Sequence, residues 1–599
     1  MRWLARRKAV QAGHQWAGRN SMRTKPHTRW GWVIGCLLAC LTGQGFSPCA
    51  AQLDVVGPLV GDLDGDSFVG LSDLQIVLTH FNHNVPAGDL TLGDPSGDGM
   101  VGLDDLTIVL GNWNAGYPIP QQRNLQLGIN LSQVNYFNRE WVFVDVMKQA
   151  KPWVATTPTG NPFDTGETVQ TDAKGWPMLQ PGQAVHTLMC DGTEGAYPGG
   201  RYVCTYEGTG EILFLWDANV VSSSPGRIEM DVTPSNTGIL MRITSSSPTD
   251  PIRNIRVWMP GFENAPSPFH PLFLQRLSKF KVIRFMDWAR TNEATDVLTW
   301  ADRMRPDHYS QDQPNGVAIE HMIQLCNELD ADPWFCMPHT ADDAYITNFA
   351  ALVLELLEPE RKVYLEWSNE VWNNRFDVHA YVTQQSGAPT FSPAWFDFWG
   401  GRVRNTFTIW ERMFAGQEDR LVQVAAGQAA NVWVTRKLTE RLGDQLDAIA
   451  CAAYFGEKGG SFDATTTAQD LIQDALNRAI PEVSAPDYQD HGNLADDLSA
   501  TLGRPIRLLA YEGGQHYADD NRNVPYAQAL IDMQYLPEMF SAYLKNMDAF
   551  EQAGGDLMLA FNYVDRPGNH GAWGHLEQQD STLDNAQKFR ALLYYIKDH

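Results

Sequence analysis

The stretch YLEWSNEVWNN, from Tyr364 to Asn374, begins as a strand and ends as something else. Successive side chains of a strand face opposite sides of its sheet, so Tyr364, Leu365 and Trp367 read as a buried strand that stops where Asn369 and Glu370 emerge. Seven other stretches have the same make-up: LQLGINL from Leu125, KVIRFMDW from Lys281, PWFCMPH from Pro333, LVQVAAGQ from Leu421, DAIACAAYF from Asp447, IRLLAYEGG from Ile506 and LMLAFNYV from Leu557. Helical stretches such as AIEHMIQLCNEL, NFAALVLELLE and MFSAYLKNMDAFEQA lie between them. Short apolar strands alternating with helices predict an α/β chain closed as a (β/α)8 barrel over residues 125–599.

One connection is too long for that pattern. After the first strand, residues 154–262 or thereabouts alternate as β-structure, as in RYVCTYEGTGEILFLWDANVV and GRIEMDVTPSNTGILMRIT. This predicts an inserted β-rich subdomain, which either lines the cleft at the barrel mouth or extends the scaffold.

The chain has 599 residues, 43% of them hydrophobic, and a formal charge of −26. That length asks for more than one domain. That charge argues against nucleic acid and anionic membrane as partners, since both favour basic faces. Residues 1–51 differ from the rest: basic residues without acidic ones from Arg2 to Arg29, an apolar run from Trp30 to Leu41, then SPCAAQ. They read as an export signal, which places the protein outside the cell or at its surface. A start at Met22 would shorten the basic part, and Cys40 after Leu-Leu-Ala is an alternative lipid attachment site. The apolar run falls short of the roughly 18 residues of a membrane span, so none is expected. Cys190 and Cys204 flank the turn-rich CDGTEGAYPGGRYVC and are expected to pair as a disulfide in an exported chain, whereas Cys326, Cys336 and Cys451 read as buried thiols.

Between the signal and residue 116 the chain repeats itself, GDLDGDSFVGLSDLQIVLTHFN from Gly61 aligning with GDPSGDGMVGLDDLTIVLGNWN from Gly93. Oxygen-bearing side chains recur at the same loop positions, as Asp62, Asp64, Asp66 and Asp73, then Asp94, Ser96, Asp98 and Asp105. Calcium takes oxygen ligands from such a bent loop, so residues 52–116 are expected to hold structural Ca2+, with Val69 and Val101 tucking the loops onto a small core. Loop-then-helix pairs ending in Asp resemble dockerin modules. The resemblance implies a cohesin-like or cell-surface partner for this helical module, with residues 117–124 as a linker.

Barrels of this kind place their active sites at the carboxyl ends of the strands. Glu370 leaves the fourth strand and Glu512 the seventh, so two carboxyl groups face one mouth. Glycoside hydrolysis uses such a pair: one group protonates the departing sugar oxygen, and the other attacks the sugar or activates water. A separation of about 5–5.5 Å gives retention, and a wider one inversion. EWSNE on strand four and AYEGG on strand seven resemble the retaining glycoside hydrolases of clan A, which include cellulases, mannanases and xylanases. The resemblance implies a retaining β-glycoside hydrolase acting on a polysaccharide or oligosaccharide without a catalytic cofactor. It further implies Glu370 as acid and base, Glu512 as nucleophile and Asn369 as partner of the sugar 2-hydroxyl. Arg284 would keep Glu512 ionised, Tyr454 would donate to it, and Trp573 would be a sugar-stacking platform. Trp372 and Trp288 are further stacking candidates, and His339 either lines the glycone subsite or is a scaffold histidine. Glu366 shares a strand face with Glu370 and, pointing into the barrel, needs a partner such as Arg284. Val371 stands where a proline often follows Asn-Glu. A non-catalytic carbohydrate-binding or adhesion protein would keep the same barrel, and a transglycosylase the same intermediate.

Overall fold

The computed structural model describes residues 60–63, 69–112, 124–293 and 298–597. The expected export signal, with Cys36, Cys40 and Cys49, lies outside them, as do Asp64 and Asp66 of the first acidic loop and most of the linker.

The eight expected strands close into one parallel barrel in chain order: Gln126–Asn130, Val282–Arg284, Asp332–Met337, Val363–Trp367, Leu421–Ala426, Ala448–Gly456, Arg507–His516 and Gly555–Ala560. Pairing of Gln126 with Leu557 and of Ile129 with Ile283 joins the first strand to the last and to the second. Alternation sorts the side chains. Val282, Leu557 and Leu559 fill the barrel, whereas Ile283, Met558 and Ala560 pack outward with the helices. Both faces are thus dry, which is why the strands read as continuous apolar runs. Gly128 is required where strands one, two and eight converge, because a Cβ there would lie 2.6 Å from Val282 O and 2.9 Å from Leu559 Cγ. The long outer helix Pro393–Met413 starts where Ser392 accepts from Trp395 N and Pro393 takes the first turn, and it buries Trp395, Trp399 and Trp410.

After the first strand come two four-stranded antiparallel sheets. One runs Val154–Thr156, Ala184–Met189, Ile239–Ser246, Gly210–Trp216; the other runs Ala218–Ser224, Arg227–Val232, Gly200–Glu207, Arg253–Trp258. Val185, Met241 and Ile243 of the first share a core with Tyr202, Met230 and Val257 of the second. The disulfide expected between Cys190 and Cys204 is not formed, and both are free thiols. Cys190 follows a strand of one sheet while Cys204 lies within the other, so the turn-rich segment crosses between sheets rather than closing a loop on itself. Burial in the shared core pushes the Cys190 thiol up to about 12.

Helices Leu71–His80 and Leu103–Gly111 of the repeat pack around Leu63, Val69, Val77, Val101 and Val109. Among the described residues no helix is long and apolar enough to cross a membrane.

Candidate active site

Arg284 closes the second barrel strand and is wholly buried. Each kind of guanidinium N–H finds an acceptor: Nε and Nη2 reach Glu366 Oε2 at 3.3 and 3.0 Å, and Nη2 also reaches Asn369 Oδ1 at 2.8 Å. Nη1 reaches Asn130 Oδ1 at 3.0 Å and Glu512 Oε1 at 2.9 Å. Glu366 is further held by Trp334 Nε1 at 2.9 Å. Two buried carboxylates therefore share one cation.

The seventh strand reaches this cation through an irregularity. Cys451 pairs with Ala510 and the next residue, Ala452, pairs with Glu512, so Tyr511 is the extra residue of a bulge. A bulge re-aims side chains. Tyr511 and Glu512, neighbours that strict alternation would send to opposite faces, both enter the mouth. Glu512 Oε2 accepts from Tyr454 OH at 3.0 Å, while Tyr511 OH lies 3.1 Å from Glu370 Oε1 and 3.2 Å from Gly427 O. Tyr454 is itself anchored through its carbonyl, which accepts from Ser484 Oγ at 3.0 Å and Tyr488 OH at 3.1 Å.

Glu370 stands just past the fourth strand on a strained turn. Ser368 (φ 62°) and Glu370 (φ 39°) both adopt left-handed backbone, a conformation that costs non-glycine residues on the order of 1–3 kcal/mol and concentrates at functional sites. Asn373 Nδ2 donates to Glu370 Oε2 at 2.7 Å. Burial is the largest influence on both glutamates and raises both. Glu370 is pushed up to about 8 by burial and then by the charge of Glu512, against which Asn373 and Tyr511 pull only weakly. Burial raises Glu512 too, but the Arg284 cation and the Tyr454 hydroxyl draw it back. The surroundings thus favour a proton on Glu370 more than on Glu512, which of the two is the one paired with the Arg284 cation.

Asn369, Glu370, Trp372, Tyr454, Glu512 and Trp573 line one cleft of about 580 Å³. Three other expected residues are placed differently. Arg284 has no exposed surface and lies beneath the cleft, where it holds Glu512, Glu366 and Asn369 and does not reach a substrate. His339 is 1% exposed and packs beside Tyr381 with ring centroids 5.2 Å apart; it is absent from the cleft wall, and burial lowers its imidazole to about 4. Trp288 is buried in the outer core with Nε1 donating to Ser132 O at 3.1 Å, which leaves no face for a sugar.

The cleft also contains residues that the strand pattern did not single out. Asn292 Oδ1 accepts from Asn369 Nδ2 at 2.9 Å and, with Arg284, fixes which way that amide points. Asp287, next to the second strand, is a further carboxyl in the wall, raised to about 7 by burial and by the charge of Glu512. Its signal was the acid in KVIRFMDW, directly after the buried run 282–286. Asn373 lay within the opening stretch, and Tyr511 shares the inward phase of Leu509 on the seventh strand.

In the second acidic loop, Asp94 and Asp105 meet on either side of Ser96. Asp94 Oδ1 accepts from Ser96 Oγ at 3.0 Å and Asp105 Oδ1 from Ser96 N at 3.0 Å. Burial raises Asp94, but hydrogen bonds from Gly88, Gly99, Ser96 and Gly97 outweigh it and bring its carboxyl down to about 2. Asp98 is exposed and caps Met100 N at 2.8 Å. In the first loop Asp73 accepts from Leu63 N at 2.6 Å and Gly70 N at 2.7 Å, and Asp62 is buried. Hard oxygen donors of this kind suit calcium. Among the described residues no three His, Cys, Asp or Glu side chains converge as a metal-holding group.

No protein-family model matches the chain, and no curated protein matches it. Among solved structures it is similar to a GH51 arabinofuranosidase from Xanthomonas axonopodis pv. citri (14% identity, TM-score 0.33), the match covering 52% of this chain and 64% of that one. It is also similar to a family 39 glycoside hydrolase from Bacteroides cellulosilyticus WH2 (13%, TM-score 0.30, covering 66% and 78%) and to a GH5-4 broad specificity endoglucanase from Clostridium acetobutylicum (9%, TM-score 0.31, covering 55% and 92%). The chain thus spans less than two thirds of the first of these. The closed strand order of the barrel, not these loose likenesses, carries the fold assignment.

Proposed function

We propose that the chain is a retaining β-glycoside hydrolase acting on a polysaccharide or oligosaccharide, with Glu370 as acid and base and Glu512 as nucleophile. One observation carries this reading: two carboxyl groups in a single cleft have opposite surroundings, one favouring a proton and the other held by a buried cation. Pairs whose environments push them apart are the mark of acid and nucleophile.

In the first step a Glu512 oxygen attacks the anomeric carbon while the glycosidic C–O bond breaks and the Glu370 proton passes to the departing oxygen. The product is a glycosyl ester, in which Glu512 no longer carries charge. The influence that helped hold the proton on Glu370 is then gone, so the Glu370 carboxylate accepts a proton from water as that water attacks the anomeric carbon and releases Glu512. Asn369, its amide oxygen bonded to Arg284, keeps an N–H to offer a sugar hydroxyl. Trp372 and Trp573 supply flat apolar faces against which sugar C–H groups pack.

Glu370→Gln and Glu512→Gln are each expected to lower hydrolysis of the best of a panel of β-glucans, mannans and xylans by about 10²–10⁴-fold. A fluorinated glycoside is expected to label Glu512, and the first-formed product to keep its anomeric configuration. Labelling of another residue, or an intact panel, would overturn the reading.

The paired acidic loops are proposed to bind calcium and to attach the chain to a cohesin-like or cell-surface partner after export. The oxygen-only side chains and the meeting of Asp94 and Asp105 at Ser96 support the calcium part.

A further inference from the structure

The catalytic cleft does not end at the glutamates. A second cavity of about 530 Å³, nearly as large as the first, adjoins it, with Asp287, Asn562 and Asp565 in the wall of both. Its far wall includes Gly192, in a loop of the inserted sheets. Glu194 of that loop pairs with Arg139, from the segment after the first barrel strand, at 3.1 Å, and with Arg566, from the segment after the eighth, at 2.5 Å. Asp191 N also donates to Tyr136 O at 3.1 Å. The insertion is therefore fastened to the barrel rim at the point where it completes the cavity.

The lining has the chemistry of a sugar site. Gln133, Asn135 and Asn138 line it with amides, and Phe137, 53% exposed at the wall, supplies an aromatic ring of the kind on which sugar C–H groups pack. At the junction, Asn562 is 7% exposed and its Oδ1 is buried without a protein partner. Such a group asks for a ligand or water hydrogen. Arg139 and Arg566 line the cavity but are engaged by Glu194, and His570 is engaged by Asp565, so each cation has its counter-charge and nothing here selects an acidic sugar.

Position around the barrel mouth fixes which end of the substrate it takes. The residues following Glu370, among them Trp372 and Arg375, wall the side of the acid, which must face the leaving group. The second cavity is walled instead by residues that follow strands one, two and eight, across the closed barrel from the fourth strand, after which Glu370 stands. Resting on the glycoside hydrolase reading, we propose that the inserted β-subdomain and the barrel rim jointly form a compartment for further neutral sugar units on the glycone side of the bond that is cut, with Phe137 as its stacking face.

The test uses the full chain and the ratio of kcat/KM on neutral cello-, manno- or xylo-oligosaccharides to kcat/KM on the matching nitrophenyl monoglycoside. Phe137→Ala is expected to lower that ratio about tenfold, the scale of one aromatic contact. Gln133→Trp, which fills the cavity from an unrelated position, is expected to lower it as well. A ratio unchanged in both variants, or a loss equal on long and short substrates, would overturn the compartment while leaving the hydrolase reading intact. Should the wild-type chain cleave neither substrate, the hydrolase reading fails, and calorimetric titration of the oligosaccharides into wild type and Phe137→Ala decides the compartment separately: weaker binding to the variant supports it, and equal binding rejects it.

Discussion

Tyr511 and Glu512 are consecutive in the chain, yet both enter the barrel mouth, one reaching Glu370 at 3.1 Å and the other Arg284 at 2.9 Å. The bulge that permits this joins the two glutamates into one electrostatic unit. Its cation and the Tyr454 hydroxyl hold Glu512, Asn373 and Tyr511 hold Glu370, and the Tyr511 hydroxyl has one hydrogen to share between Glu370 and Gly427 O. When Glu370 is ionised the hydrogen is best spent on it. When Glu370 is protonated, Tyr511 is free to donate to the carbonyl.

That division predicts the effect of Tyr511→Phe. The hydroxyl lowers the Glu370 pKa by bonding its ionised form, so deletion raises it further. Because the acid must be protonated, the alkaline limb of kcat/KM is expected to move to higher pH, with a fall in kcat as Glu370 loses a restraint. A pH–rate profile checks this, and an unmoved or lowered limb contradicts it.

Glu370 should also be visible in stability. Its pKa in the fold is about 8 against an ordinary 4.5, so between those values the folded chain holds a proton that the unfolded chain has released. That contribution is complete below the ordinary value and is lost as pH rises through about 8. Glu370→Gln keeps a neutral group in place at all pH. The variant's Tm is expected to exceed that of the wild type by a margin that widens between about pH 5 and about pH 9. Parallel Tm curves would deny the raised pKa.

Arg284 holds two carboxylates that would otherwise be buried without a counter-charge. Removing one partner of such a group costs about 3–5 kcal/mol, so Arg284→Met is expected to destabilise the chain by that amount in urea. Adding Glu366→Gln to the variant deletes one of the stranded charges and is expected to recover part of the loss. A loss below about 1 kcal/mol in the single variant would place the network among surface pairs in its worth.

These tests turn on features that differ in how readily a one-dimensional reading exposes them. The eight strands were legible because both faces of a parallel barrel are dry, which leaves long apolar runs ending in polar residues, as at Asn369 and Glu370. The same alternation put Glu366 beside Arg284, where it lies. It failed at Glu512: Leu509 and Tyr511 keep the inward phase, and the bulge then turns the next residue inward too, which leaves no trace in the period of its neighbours. It failed also for Trp288, because a tryptophan just past a strand looks alike whether it turns toward the cleft or the outer helices. Cys190 and Cys204 misled for a related reason: their spacing suits a closed loop, but sheet order, a non-local property, separates them.

The acidic repeat offers a last prediction that is independent of catalysis. Asp105 is fully buried and accepts from Ser96 N at 3.0 Å and Gly102 N at 2.7 Å, holding loop and helix together as Asp73 does through Leu63 N and Gly70 N. Asp105→Ala strands two amide hydrogens and is expected to cost about 1–3 kcal/mol locally even without metal. In the wild type, calcium binding would add stability as RT ln(1 + [L]/Kd), so amide exchange over residues 93–112 of the full chain is expected to slow on titration with calcium and to recover with a chelator. In Asp105→Ala the calcium response should disappear while the metal-free defect remains. Exchange that ignores calcium in the wild type would strip the loops of the metal and leave Asp94 and Asp105 as caps alone.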